Sequence, residues 1–191
     1  MELGDIDVVL IDGRSGSGKT SLTERLVRRE RLEGVEMQVL HVEDLYPGWD
    51  GLEAGSQSVA VALETGGYRR YDWIAGDFGD WIALTPDRPL VIEGCGAITA
   101  ENLAAARSWA LRVREAAPLS STGASSSVRV HAVWLEGSAE LRRDRALARD
   151  GETFRPYWER WAAQEDAYFA ITQPASLADE IIRIEVPANG R

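Results

Sequence analysis

Near its start the chain reads Gly13-Arg14-Ser15-Gly16-Ser17-Gly18-Lys19-Thr20. This stretch fits the pattern G-x-x-x-x-G-K-S/T, and it lies between a β-branched run from Ile6 to Ile11 and a segment from Ser17 to Glu30 with apolar residues at helical spacing. Glycines let backbone N–H groups turn inward without side-chain clashes, and the helix that follows directs its positive end at the same point. The stretch therefore predicts a phosphate-binding loop, whereas the alternative is a Gly/Ser turn that binds nothing.

The polar residues of this loop have expected tasks in binding a nucleoside triphosphate. Lys19 is expected to reach the β and γ phosphates, and the hydroxyl of Thr20 is expected to supply a ligand to Mg²⁺. The residues predicted to bind the nucleotide are Gly13, Ser15, Gly16, Ser17, Gly18, Lys19, Thr20 and Ser21. ATP and Mg²⁺ are therefore the expected cofactors, although the choice between ATP and GTP stays open.

The rest of the chain alternates strands with helices. Further strands are predicted over 35–42, 89–93, 128–135 and 181–186, and helices over 51–63, 99–117, 138–151 and 156–169. Such alternation predicts an α/β fold with a parallel sheet that is covered on both faces and binds ligands at the carboxyl ends of its strands. Residues 68–73 fit either a hairpin or an irregular loop, and the Ser/Gly-rich stretch 120–127 predicts a flexible linker.

Length and composition narrow the class of protein. The 191 residues suit one compact domain, and a hydrophobic share of 45% excludes global disorder. With 31 acidic against 21 basic side chains the formal charge is −10, which disfavours nucleic acid as a partner. A lone Cys95, a first segment without a basic start and the lack of a long apolar run predict a cytoplasmic protein with no membrane partner.

A phosphate loop is shared by kinases, GTPases and transport ATPases, so other segments must distinguish these classes. The chain lacks the guanine-reading segment N-K-x-D of a GTPase and the L-S-G-G-Q segment of an ABC ATPase. A small phosphotransferase remains, in which a carboxylate receives the hydroxyl proton of the second substrate.

Two carboxylates follow predicted strands at the edge of the sheet where the loop lies. Glu93 ends the third strand, and we predict that it holds Mg²⁺ directly or through water. Asp44 follows the second strand, and we predict that it is the general base. The structural alternatives are a turn residue for Asp44 and a charge at a helix N-terminus for Glu93, and Glu43 and Asp12 are rival candidates for the carboxylate roles.

Together these motifs resemble the group formed by uridine kinase, phosphoribulokinase and nicotinamide riboside kinase. The segment Glu43-Asp44-Leu45-Tyr46 is similar to a D-x-F-Y-like segment after the second strand of that group, and Glu93-Gly94 is similar to its E-G pair. The segment from Leu141 to Asp150 is similar to its lid, of form R-x-x-R-x-x-x-R-D. The chain departs from the group in continuing as Gly151-Glu152-Thr153-Phe154 and in its many tryptophans between the two carboxylates.

The resemblance implies a P-loop kinase fold, in which a three-layer sandwich holds five parallel strands in the order 2-3-1-4-5. It implies one domain over residues 1–191, with an arginine-bearing lid around residues 138–156. It also implies that Asp44 acts as base and contacts Mg²⁺ together with Thr20 and Glu93, while Lys19 takes part in catalysis.

Three arginines match the lid pattern, and they are Arg142, Arg145 and Arg149. Their spacing of i, i+3 and i+7 places them on one stripe of a helix. Because Lys19 is the only lysine of the chain, a cluster of arginines in so acidic a protein needs a purpose. We predict that the stripe closes over the phosphates of ATP and neutralises transition-state charge. The alternative is a solvated face that pairs with neighbouring acids.

A dense share of the aromatic rings lies between Asp44 and Glu93, which predicts a pocket for the phosphate acceptor, although rings also build cores. The residues predicted to bind the acceptor are Tyr46, Trp49, Tyr68, Arg69, Asp72 and Trp73. Trp158 and Trp161 are instead predicted to pack their own helix.

The leading hypothesis is a uridine kinase-like enzyme that uses ATP and Mg²⁺ to phosphorylate a hydroxyl of a small nucleoside-like or vitamin-like metabolite, as a monomer or homodimer. One alternative is a kinase of the nucleoside monophosphate or dephospho-coenzyme A type, with Arg69 and Arg70 binding the phosphate of the acceptor. The other alternative is a non-catalytic regulator that binds a nucleotide without turnover.

Overall fold

The computed structural model describes residues 6–116 and 127–185, and a parallel sheet runs through its centre. The strands of this sheet are β1 (Val8–Gly13), β2 (Gln38–His41), β5 (Leu90–Glu93), β6 (Val130–Glu136) and β7 (Glu180–Arg183). Their order across the sheet is β2-β5-β1-β6-β7. A separate antiparallel pair is formed by β3 (Gly67–Asp72) and β4 (Asp77–Ala83). Counted without this pair, the strand order is the predicted 2-3-1-4-5.

Helices cover both faces of the sheet. They are α1 (Lys19–Leu32), α2 (Leu52–Thr65), α3 (Ala100–Ala116), α4 (Ala139–Phe154), α5 (Trp158–Thr172) and the short α6 (Pro174–Leu177). Alternate residues of a strand point to opposite faces, so β1 packs Val9 and Ile11 against Leu26 of α1. Val8 and Leu10 face the other layer, where Trp109 of α3 is fully buried. The result is the predicted α/β sandwich of three layers.

Local chemistry explains where several helices begin and end. The N-cap of α4 is Ser138, whose hydroxyl accepts from the N–H of Leu141, as expected for a capping serine. Gly66 ends α2 in the left-handed conformation, at φ 74°. The first part of α4 ends where the sequence predicts, because the backbone of Gly151, at φ 55° and ψ −132°, is not helical, and a short further turn beyond this kink reaches Phe154.

The segment 68–73 lies in an antiparallel hairpin, which resolves the choice that the sequence left open. Apart from Ser127, the predicted linker 120–127 lies outside the described residues. Strand limits differ from the predicted ones by a few residues, as for β2, which is shorter than the predicted 35–42. Across the described ranges, none of the helices combines the length and the apolar character needed to cross a bilayer.

Candidate active site

The loop after β1 presents backbone N–H groups to one point. Gly16 and Gly18 have φ of 80° and 88°, which L side chains rarely adopt, and a Cβ at Gly16 would collide with the backbone carbonyl of Arg142. Helix α1 begins at Lys19, so its first N–H groups lack intrahelical partners. Within the described part of the chain, the N–H groups of Gly16, Gly18, Lys19 and Thr20 have no hydrogen-bond acceptor. These groups and the helix dipole make the loop an anion-binding nest.

The side chain of Lys19 lies under this loop and is almost fully buried. Its Nζ donates to the carbonyl oxygens of Gly13 at 2.7 Å and Arg14 at 3.3 Å, and it lies 3.4 Å from Sγ of Cys95. The ammonium group is thus held beside the nest by two carbonyls, which leaves it near any phosphate that the N–H groups bind.

Thr20 and Glu93 lie together where β1 and β5 end side by side. The hydroxyl of Thr20 is 3.3 Å from Oε1 of Glu93, and the same oxygen lies 2.6 Å from Nδ1 of His41. This hydrogen bond is the main reason why the pKa of His41 is raised. No group of three or more His, Cys, Asp or Glu suited to a metal occurs in residues 6–116 and 127–185. Mg²⁺ would therefore fit here only with phosphate oxygens and water completing its ligands, which is its usual habit.

Asp44 lies in a 3₁₀ turn, Val42–Leu45, that directly follows β2. Because β2 pairs with β5, this turn starts beside Glu93. Oδ2 of Asp44 accepts a hydrogen bond from the hydroxyl of Tyr68 on β3, at 3.1 Å. Burial and the nearby carboxylate of Asp44 raise the pKa of Tyr68 above its usual range, so the phenol stays a donor. The hairpin thus orients the predicted base.

The two rival carboxylates differ in their surroundings. Asp12 is fully buried and accepts from the N–H groups of Gly13, Gly96 and Ile98, at 2.6, 3.1 and 2.9 Å. Burial raises its pKa to about 7. Asp12 is therefore an anchor that joins the phosphate loop to the loop after β5. Glu43 is exposed to solvent and forms an acidic group with Asp44 and Glu93.

The predicted lid arginines do gather beside the phosphate loop. Arg142 is buried, and it donates to the carbonyl oxygens of Ser15 and Gly137, both at 3.1 Å. Burial is the main cause of the lowered pKa of Arg142. Arg145 and Arg149 lie one and two turns further along α4 and line a pocket next to the loop.

That pocket has a volume of about 650 Å³. Its walls are the loop from Gly16 to Gly18, apolar groups of Leu22 and Ile182, and the side chains of the two arginines. A volume of this size and a mixed apolar and polar lining suit a small ligand such as a nucleoside. Ser21, predicted to bind nucleotide, also lines it.

The residues predicted to bind the acceptor are dispersed. Tyr46 lies in the core, where it is 4% exposed and its hydroxyl donates to the carbonyl of Cys95. Arg69 donates to the carbonyl of Gly79 on the exposed hairpin. It neighbours Tyr68 on a strand and so points to the opposite face from the residue that contacts the base. Asp72 accepts from two N–H groups of the hairpin turn. These positions give Tyr46, Arg69 and Asp72 structural contacts.

Two tryptophans of that predicted set lie in an aromatic cluster near the end of α4. The ring of Trp49 stacks on Tyr157 at 4.3 Å with planes 6° apart, and it lies 4.9 Å from the ring of Trp73. Trp161 is buried in the core and meets Trp49 edge-on, as its predicted packing role requires. The cluster thus joins the loop after β2, the hairpin and the segment after the lid.

Glu165 of α5 is the main site residue that the sequence argument missed. Its carboxylate, 1% exposed, accepts from the N–H of Ser15 at 2.6 Å. The signal was present, because Glu165 continues the buried stripe of Trp158, Trp161 and Phe169. A charged residue on a buried stripe needs partners, and the phosphate loop provides them.

Comparison with known proteins supports the architecture. The chain has a TM-score of 0.53 and 19% identity to a possible uridine kinase from Bacillus stearothermophilus, covering 95% of this chain and 91% of that one. A second structure is the APS kinase of Mycobacterium tuberculosis in complex with AMPPNP and APS, with a TM-score of 0.50, 16% identity and coverage of 97% and 91%. The chain therefore shares the α/β fold of these two kinase structures. No protein-family model and no curated protein matches the sequence.

Proposed function

We propose that this protein is a small-molecule kinase that transfers the γ phosphate of ATP, with Mg²⁺, to a hydroxyl group of a nucleoside-like or vitamin-like metabolite in the cytoplasm. One observation carries the proposal. The anion-binding nest, the Thr20–Glu93 pair and the turn that holds Asp44 all lie at the carboxyl edge of one parallel sheet. This edge is where open α/β sheets bind their ligands.

The phosphate loop and α4 would bind the nucleotide. The free N–H groups of the nest would hold the phosphates, and Lys19 would neutralise charge that develops on the β and γ phosphates. The pocket beside the loop would hold the base and ribose, with Arg145 and Arg149 at its wall. Arg142 would complete the lid because it already contacts the loop.

Thr20 and Glu93 would hold Mg²⁺ with phosphate oxygens and water. When bound, the ion would draw charge from the phosphate oxygens and orient the terminal phosphate. Asp44 would accept the proton of the acceptor hydroxyl as its oxygen forms a bond to the γ phosphorus. The bond between that phosphorus and the bridging oxygen would break, and ADP would leave.

The charges near Asp44 favour an acceptor without a phosphate. Glu43 and Glu93 lie in the same acidic group, and their proximity is part of the reason why the pKa of Glu43 is raised. Of the two arginines that the monophosphate alternative needs, Arg69 is held on the hairpin by the carbonyl of Gly79, which leaves Arg70 to offset these carboxylates. An anionic acceptor would meet repulsion there, whereas an uncharged alcohol would not.

The test is a screen for ADP release from ATP in the presence of Mg²⁺, over nucleosides, nucleoside monophosphates and vitamin-like alcohols, with the product identified by mass and ³¹P spectra. We expect phosphorylation of an uncharged alcohol, at a rate about a thousandfold lower with Lys19→Ala. Turnover of monophosphates alone would replace the proposal with the nucleotide kinase alternative. ATP binding without turnover of any acceptor would favour the regulator.

A further inference from the structure

Helix α5 carries a buried carboxylate against the phosphate loop, and the mechanism above does not use it. Glu165 is 1% exposed and lies on the stripe of α5 that otherwise carries tryptophan and phenylalanine. A buried carboxylate is costly unless hydrogen bonds and opposite charges compensate it. The partners of Glu165 therefore indicate its purpose.

All the partners belong to the loop or its surroundings. Oε1 of Glu165 accepts from the N–H of Ser15 at 2.6 Å and from Nε1 of Trp161 at 3.1 Å, and it lies 3.4 Å from the thiol of Cys95. Oε2 lies 3.7 Å from a guanidinium nitrogen of Arg14 and 3.9 Å from one of Arg142. The carboxylate is thus an anion set among the cations that surround the phosphate nest.

Both arginines have other contacts that hold them in place. Arg14 pairs with Asp166 at 2.6 Å, and its guanidinium carbon lies 5.5 Å from the ring centre of Phe169. Arg142 donates to the two carbonyl oxygens named above, those of Ser15 and Gly137. Removing the charge of Glu165 would therefore change the net charge beside the loop more than it would move the guanidinium groups of Arg14 and Arg142.

We propose that Glu165 is a positioning residue that sets how tightly the loop binds nucleotide, by balancing the charges of Arg14 and Arg142. This inference rests on the proposed function. With Glu165 ionised, the two guanidinium groups are partly neutralised, and its negative charge opposes the phosphates on the loop. ATP therefore binds less tightly, and ADP dissociates faster, than they would from the same loop without the charge of Glu165.

The test is calorimetric titration of ATP and ADP, with Mg²⁺, into wild type and Glu165→Gln. Glutamine keeps the shape and an oxygen that can accept from Ser15, but it lacks the charge. We expect both nucleotides to bind at least about tenfold tighter to this variant. Asp166→Asn is the matched control, because Asp166 also pairs with Arg14 but is 72% exposed, so nucleotide affinity should change by less than about threefold.

Turnover separates this role from a merely structural one. Where an acceptor has been identified, Glu165→Gln should lower both the KM for ATP and kcat, because ADP release slows. A variant that is only poorly folded would lose kcat with an unchanged KM. Nucleotide binding that is unchanged or weaker in a folded Glu165→Gln protein overturns the proposal.

A second pair of variants decides the matter if Glu165→Gln alone does not fold, because removing Arg142 as well relieves the buried positive charge that Glu165 compensates. Arg142→Gln leaves Glu165 with less compensation and should weaken ATP binding at least about tenfold. The double variant with Glu165→Gln removes both charges and should return to within about threefold of wild type. A double variant as weak as Arg142→Gln contradicts the inference. If the wild-type protein binds ATP no better than Lys19→Ala, the proposed function itself is refuted. If Lys19→Ala weakens ATP binding but the variants of Glu165 and Arg142 do not change it, only the role of Glu165 is refuted.

Discussion

The proposed phosphate side and the proposed acceptor side of the site use different parts of the chain. The phosphate side is one continuous loop that binds through backbone N–H groups, shaped by glycines at positive φ. The acceptor side would be built from side chains of separate segments, among them Asp44, Tyr68 and the stacked pair Trp49 and Tyr157. A backbone site leaves a local pattern in the sequence, whereas a site of dispersed side chains does not. Variants of each side test this contrast.

The largest expected effect is on the phosphate side. Lys19→Ala removes the only ammonium group of the chain beside the nest, so turnover should fall by about a thousandfold. ADP release at saturating acceptor measures the effect. Lys19→Arg serves as the charge-preserving control, and activity close to wild type in Lys19→Ala would contradict the assigned role.

The next effect concerns the predicted base on the acceptor side. Asp44→Asn keeps the shape of the side chain but cannot take a proton, so kcat should fall by about a hundredfold with ATP affinity unchanged. Steady-state kinetics with the identified acceptor and titration with ATP give the two values. Glu43→Gln, one residue earlier, should cost far less. Equal losses in both variants would assign the base to the acidic group rather than to Asp44.

A smaller effect is expected where the two sides meet. Glu93→Gln weakens the site shared with Thr20, so the Mg²⁺ concentration for half-maximal activity should rise by at least about tenfold. Titration of activity with Mg²⁺ gives this concentration, with saturating EDTA as the blank. An unchanged Mg²⁺ requirement would place the metal elsewhere.

The hydrogen bond between the hairpin and the base has a modest expected effect. Tyr68→Phe removes the hydroxyl that donates to Asp44 and leaves the ring, so kcat should fall by about threefold to tenfold. Tyr71→Phe, on the same strand, is the control and should leave kcat near wild type. Equal kcat values for Tyr68→Phe and wild type would show that the hairpin does not orient the base.

A separate effect is a change of stability with pH. The pKa of Asp12 is about 7 in the folded protein, above its ordinary value of 3.8. Between these values the folded state keeps a proton that the unfolded state loses, so this group reduces stability as the pH rises to 7 and has no further effect above that pH. Asp12→Asn lacks this dependence. Urea unfolding should therefore show a larger stability gap between wild type and variant at pH 5 than at pH 8, and a constant gap would contradict the shifted pKa.

Much of the fold was readable because it depends on local patterns. The alternation of strands and helices predicted the parallel sheet, and the glycines around Lys19 predicted the nest. Residues 68–73 could not be assigned, because their pairing partner is β4 and the register depends on a bulge between Arg69 and Tyr71. The prediction of acceptor-binding residues included both Tyr46, which is buried, and Trp73, which is 41% exposed. Composition alone cannot tell a ring in a core from one in a cleft.

Short-range spacing and the meeting of parallel strand ends were enough to predict the phosphate loop, the three-layer α/β fold and the two carboxylates after β2 and β5. The packing of the folded chain was needed to show that Asp12 is a buried anchor, that Tyr68 contacts Asp44 and that Glu165 lies beside Arg14 of the loop and Arg142 of α4. Ser15 and Glu165 are 150 positions apart along the chain. No local pattern encodes such a contact, because packing of whole elements brings the two groups together.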